Sequence, residues 1–124
     1  MPAENDRRID YIEFPVQDPS VARRFYTEVF GWTCQDWGPD YVSFEDGRLT
    51  GGWRGGETPV PGGPLVILYA TDLAATEARI VAAGGTITVP TFPFPGGRRF
   101  HFRDPCGHDL AVWSDPLPGQ GEGH

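Results

Sequence analysis

The sequence predicts an α+β fold made of two successive strand–helix–strand–strand–strand (βαβββ) modules, and three observations predict it. A capped-helix signal occurs twice at one spacing: Asp18 and Asp72 lie 54 residues apart, as do Gly31 and Gly85, and Val16 and Ala70 precede them at the same interval. Self-similarity of this kind is the mark of a repeated supersecondary unit. Short runs of alternating apolar and polar residues follow each helix signal, which is the two-residue period of strands. A Gly/Pro-rich stretch, residues 55–64, separates the two patterns and has the composition of a connector.

The first module spans residues 9–54. Ile12, Phe14 and Val16 alternate with Tyr11, Glu13 and Pro15, so Ile9 to Val16 reads as a strand with two distinct faces. Asp18 followed by Pro19 is a helix start, an N-cap acceptor followed by a residue whose missing N–H costs nothing there. Val21, Phe25 and Val29 recur every four residues beside Ala22, Tyr26 and Phe30, and Gly31 supplies the stop. Strands are expected near Thr33 to Trp37, Asp40 to Glu45 and Arg48 to Arg54, with turns at Gly38-Pro39 and Asp46-Gly47.

The second module spans residues 65–114. Leu65 to Ala70 is apolar at every position, as expected of a strand covered on both faces. Asp72 caps a helix through Ala83 with Leu73, Ile80 and Ala83 on one side, and Gly84-Gly85 ends it. Strands follow near Thr86 to Val89, Arg98 to Arg103 and His108 to Ser114. With a small insertion, Phe44, Asp46 and Trp53 fall on Phe102, Asp104 and Trp113. Residues 1–8 and 115–124 read as flexible tails.

Composition narrows the function. A chain of 124 residues with 39% apolar residues and sixteen aromatics supports one buried core. The longest apolar run is far short of the roughly 20 residues that cross a bilayer, and Met1 to Arg8 is charged, so no membrane association and a cytoplasmic location are expected. A net charge of −7 disfavours a nucleic-acid surface and favours neutral or cationic ligands. The absence of lysine excludes Schiff-base chemistry. Cys34 and Cys106 read as free thiols.

The segments Tyr11-Ile12-Glu13-Phe14-Pro15-Val16 leading to Asp18-Pro19, Phe25-Tyr26-Thr27-Glu28-Val29-Phe30-Gly31-Trp32, Ala82-Ala83-Gly84-Gly85 and Asp104-Pro105-Cys106-Gly107-His108, in this order before a strand ending in Trp113, resemble the vicinal-oxygen-chelate superfamily (glyoxalase/bleomycin resistance protein/extradiol dioxygenase) and within it the glyoxalase-related group. The resemblance runs from about Ile9 to Ser114. It implies a curved mixed sheet around a concave ligand cavity, helices on the outer face, and a homodimer. It also implies metal-ligand positions at Tyr11, Leu65 and Ala111, where the family has His or Gln, His and Glu. Hydrocarbon side chains donate nothing to a divalent ion, so neither a family metal nor any other cofactor is expected.

Glu13, on the face opposite Ile12 and Phe14, is the candidate catalytic acid or base: facing an apolar cavity, its charged form would be disfavoured. It could equally anchor a cationic ligand or pair structurally with Arg98 or Arg103. His101, between Phe100 and Phe102, is a second catalytic candidate that would share the cavity with Glu13, or else a structural strand histidine. Tyr11, Trp53, Leu65, Ile67, Tyr69, Ala111 and Trp113 are the candidate ligand-binding residues, their aromatic area suited to flat or apolar guests. Arg98-Arg99 after Pro95-Gly96-Gly97 suits a carboxylate or phosphate, or a solvated hairpin edge. Three functions remain open: a metal-free enzyme of isomerase or lyase type working through Glu13, a drug-resistance-type protein that sequesters a small molecule without turnover, and a metal enzyme with a rearranged ligand set including Glu13 and His101.

Overall fold

The computed structural model describes residues 3–117. The elements run β1 (Tyr11–Pro15), α1 (Pro19–Phe30), β2 (Thr33–Asp36), β3 (Tyr41–Glu45), β4 (Thr50–Arg54), then β5 (Val66–Tyr69), α2 (Leu73–Ala82), β6 (Thr86–Phe94), β7 (Gly97–Arg103) and β8 (Asp109–Ser114). The βαβββ order therefore occurs twice. Two four-stranded sheets result, ordered β1-β4-β3-β2 and β5-β8-β7-β6. In each, the first strand runs parallel to the last and the other pairs are antiparallel. The chain divides into two compact units, Met1–Pro59 and Val60–His124, and the division falls within the stretch read as a connector.

Both helices start as the sequence implies. Asp18 is extended and accepts from the Ser20 amide at 3.0 Å, with Pro19 in the first turn. Gly31 closes α1 in the left-handed region (φ 71°), and its amide donates to the Thr27 carbonyl. Asp72 caps α2 by accepting from the Ala75 amide at 3.0 Å.

In the first unit Ala22, Phe25, Tyr26 and Val29 of α1 are buried, as are Val42, Phe44 and Trp53 of the sheet. An aromatic stack forms there: Trp32 lies 4.7 Å from Tyr26 and 4.6 Å from Phe44, and Phe44 lies 4.6 Å from Trp53. In the second unit α2 buries Leu73, Thr76 and Ile80, and Phe100, Phe102, Leu110 and Val112 are buried in the sheet. Each unit thus carries an apolar layer between its helix and its sheet.

The structure departs from the sequence reading at three places. β6 continues to Phe94 through Pro90 and Pro93. It is an edge strand with two register shifts against β7, the setting in which proline is tolerated because no ladder donor is missed. Leu65 to Ala70 is not covered on both faces: Leu65, Ile67 and Tyr69 are exposed and only the alternate residues are partly covered. The run is apolar because one face packs inward and the other is an open apolar surface. Asp115, placed in the C-terminal tail by composition, is held by the Tyr69 hydroxyl and by Arg98, whose Nε donates to its carbonyl at 3.2 Å. Residues 1–2 and 118–124 of the expected tails lie outside the described residues.

Candidate functional site

Strand register decides which side chains share a face, because partners across a ladder point the same way. On the face of the first sheet away from the aromatic stack, Glu13 lies opposite Gly52, which lies opposite Ser43, which lies opposite Gln35. A second row is Tyr11, Thr50, Glu45 and Thr33, and a third is Pro15, Arg54 and Tyr41. A depression of about 660 Å³ lies over this face, lined by Tyr11, Tyr41, Trp37, Ser43, Gln35 and Glu45 among others. Trp37 is exposed and donates its indole N–H to Ser43 Oγ at 2.9 Å, which fixes its ring at the rim.

The centre of the face is a polar chain. Tyr41 donates its hydroxyl to Glu13 Oε2 at 2.8 Å, and Tyr11 and Tyr41 are hydrogen-bonded through their hydroxyls. A phenol has one proton, and that of Tyr41 is given to Glu13, so Tyr11 is the donor to Tyr41. The outer end of the chain, the Tyr11 oxygen, is left as an acceptor. Glu13 Oε1 pairs with Arg54 Nη1, and Arg54 is gripped from its other side by Glu57. Burial, then the bonds to Tyr11 and Glu13, push the Tyr41 hydroxyl far above the usual phenol range, so it stays a donor. Glu57, then Glu13, raise Arg54, and Arg54 holds Glu57 below the usual carboxylate range.

Gly52 makes this geometry possible. A Cβ there would stand 2.2 Å from the Tyr41 hydroxyl and 2.5 Å from that of Tyr11. The two phenols meet directly above a bare backbone.

Glu13 and Tyr11 are where the alternation in β1 puts them. The arginine partner of Glu13 is Arg54, not Arg98 or Arg103; Arg103 pairs with Asp109 at 2.9 Å. Nor is Glu13 enclosed in an apolar cavity, since 37% of its side chain is exposed and its oxygens are paired. Trp53, expected on the cavity wall, is a core residue: it is 1% exposed and opposes Phe14 and Val42 on the helix side. Its partner in the repeat is also corrected. Phe14 pairs with Trp53 while Leu68 pairs with Val112, so Val112 is its counterpart and Trp113 corresponds to Arg54. A shift of one residue reverses the face. Tyr41, Arg54, Trp37 and Gly52 escaped the sequence reading, although Tyr41 was detectable from its alternation with Val42 and Phe44.

The second unit assembles its own open face. Ile67, Ala111 and His101 form one row, and Tyr69, Trp113, Arg99 and Phe92 the next. Tyr69 packs edge-on against Trp113 at 5.0 Å and donates to Asp115. Ala111 is fully buried in the floor. Leu65, just ahead of β5, is exposed. Leu65 and Ala111 offer no donor atom at the positions the resemblance reserves for a metal, and among the described residues no group of three or more His, Cys, Asp or Glu is gathered. Those positions do not fit a metal.

Burial, reinforced by Arg99 and opposed by Asp109, lowers the His101 pKa from 6.5. The unfolded chain therefore takes up the proton first on acidification, and folding stability falls as the pH drops below about 6.5 towards the lowered folded value. Denaturant midpoints measured between pH 8 and 5 are expected to show this decline, and His101→Gln should flatten it.

A model of the Glyoxalase/Bleomycin resistance protein/Dioxygenase superfamily matches residues 8–112. The chain belongs to that superfamily. Over 118 residues it is 27% identical to the provisionally named glyoxylase CFP32 of Mycobacterium bovis, covering 84% of this chain and 44% of the relative. This superfamily member thus spans less than half the length of that curated relative. Among solved structures, a glyoxalase-related enzyme from Fulvimarina pelagi superposes with a TM-score of 0.76 at 24% identity, covering 90% of each chain. A glyoxalase/bleomycin resistance protein/dioxygenase family enzyme from Burkholderia phytofirmans PsJN gives 0.76 at 17% identity, over 86% of this chain and 99% of that one. The fosfomycin resistance protein FosX from Mesorhizobium loti gives 0.74 at 18%, over 92% and 97%. These likenesses establish the superfamily fold. Among the described residues no helix is long and apolar enough to cross a membrane.

Proposed function

We propose that this superfamily member binds a small, flat organic molecule on the open face of its first unit and sequesters it without turnover. The observation that carries the reading is the state of Glu13, which is exposed rather than buried and whose two oxygens already accept from Tyr41 and Arg54. Using it as a base would require breaking one of these bonds. What the face offers instead is recognition: the Trp37 ring at the rim, the Tyr11 oxygen as acceptor, and Glu45, which forms no ion pair among the described residues. This surface suits a neutral hydrogen-bond donor or a cation on an aromatic body, in keeping with the acidic chain.

The test is a thermal-shift and calorimetric titration with N-methylquinolinium as a flat cationic probe, followed by mass spectrometry after prolonged incubation. The wild type is expected to bind and return the probe unchanged. Glu13→Gln, which leaves Arg54 undercompensated beside the guest, is expected to weaken binding about tenfold. An unchanged affinity would remove Glu13 from the site. Release of a product would restore the isomerase or lyase reading.

We further propose a homodimer. The reading is supported by the open edges of β1, β2, β5 and β6, which a second copy can cover. Sedimentation velocity at micromolar concentration is expected to give a dimer; a monomer alone would contradict it.

A further inference from the structure

Arg99 is a cation without a counter-ion among the described residues. Its Nε is buried with no hydrogen-bond partner among them. Two residues along the same strand, and so on the same face, His101 has a buried Nε2 that is likewise unpartnered. Orphaned buried polar atoms are uncommon in folded proteins, because each forfeits its hydration, and two on one face, one of them a guanidinium donor, point to a partner that is supplied from outside. The acidic groups nearest in the sheet are already engaged: Asp109 is held by Arg103 through two hydrogen bonds, and the Asp115 carboxylate accepts from Tyr69.

The surroundings define the rest of the ligand. The Arg99 guanidinium lies 5.4 Å from the Phe92 ring centre and 5.6 Å from that of Phe94, while Phe92 also lies 5.9 Å from the His101 ring. Phe94 and Tyr69 both pack against Trp113. Stacking holds the guanidinium flat without neutralising it. Ile67, Tyr69 and Val89 leave the neighbouring surface apolar and exposed.

We propose that this face of the second unit is a binding site for an amphipathic organic monoanion, a carboxylate carried on an aromatic or aliphatic body. Its oxygens accept from Arg99 Nε and from His101 Nε2–H, and its apolar body lies on Tyr69, Trp113 and Ile67. One uncompensated cation beside an imidazole favours a single negative charge over a dianion such as a phosphate monoester. The lowered proton affinity of His101 suits this role, since a neutral imidazole can still donate through one nitrogen. The first-unit face, by contrast, is acceptor-rich and suits the opposite charge.

The test is an NMR titration of the full chain with benzoate, with benzyl alcohol as the neutral isostere and benzylammonium as the cationic one. Benzoate is expected to shift the Trp113 indole and His101 ring signals and to bind at least tenfold more tightly than either isostere. Arg99→Met should remove that preference, and His101→Phe should weaken benzoate about fivefold. The wild-type comparison needs no variant to fold. Benzoate binding no tighter than benzyl alcohol, shifts confined to the first unit, or an unaltered preference in Arg99→Met would each overturn the proposal.

Discussion

Trp53→Ala is expected to lower folding stability by about 3–5 kcal/mol, the range for deleting a large aromatic from a packed core. Trp53 is 1% exposed and touches Tyr26, Trp32 and Phe44 at ring separations of 5.5, 6.3 and 4.6 Å. Its removal empties the space between α1 and the sheet. Trp113→Ala is expected to cost much less, because Trp113 is only half-buried and lies on the open face. Urea denaturation of both variants checks the contrast through the midpoint at unchanged slope. Equal losses would mean that Trp53 has been assigned to the wrong side of its strand.

Two adjacent glycines are expected to fail in different ways. A Cβ on Gly51 would stand 2.2 Å from a Phe44 ring carbon and 2.3 Å from the Ile12 carbonyl oxygen. The oxygen belongs to the backbone of the paired strand and cannot move aside without opening the β1–β4 ladder, so Gly51→Ala should cost about 3 kcal/mol or more. At Gly52 the obstructing atoms are the outer ends of two tyrosines, which can swing away. Gly52→Ala should therefore leave the denaturation midpoint within about 1 kcal/mol of wild type while abolishing N-methylquinolinium binding, because the Tyr11–Tyr41–Glu13 chain is displaced. A Gly52 variant that binds normally would show that the chain is not part of the site.

Most of the fold was legible because its determinants are local. Asp18-Pro19 and Gly31 bound α1 through interactions within a few residues of each other, and the alternation Ile12, Glu13, Phe14 assigns two faces without knowledge of the partner strand. Asp46 and Asp104 illustrate the same point for turns: each accepts two backbone amides from the residues just after it, in matched places of the two modules. The extent of β6 was not legible, since Pro90 and Pro93 argue against a strand until its position at the sheet edge is known.

The site was read only in part. Glu13 and Tyr11 follow from alternation, but Arg54 and Tyr41 join them through strand pairings up to 41 residues apart in sequence. Matching Trp53 to Trp113 by residue type was off by one position, and with a two-residue period that error turns a core residue into a cavity residue.

By itself the sequence determined the two βαβββ modules, both helix caps, the inward and outward faces of the first strand, and the superfamily. Each rests on short-range hydrogen bonding, periodicity or the order of motifs. Only the tertiary structure decided register, and with it the pairing of Glu13 with Arg54, the bare floor at Gly52 and the uncompensated charge of Arg99. Those depend on which distant backbone lies alongside, and no local pattern in the chain encodes that choice.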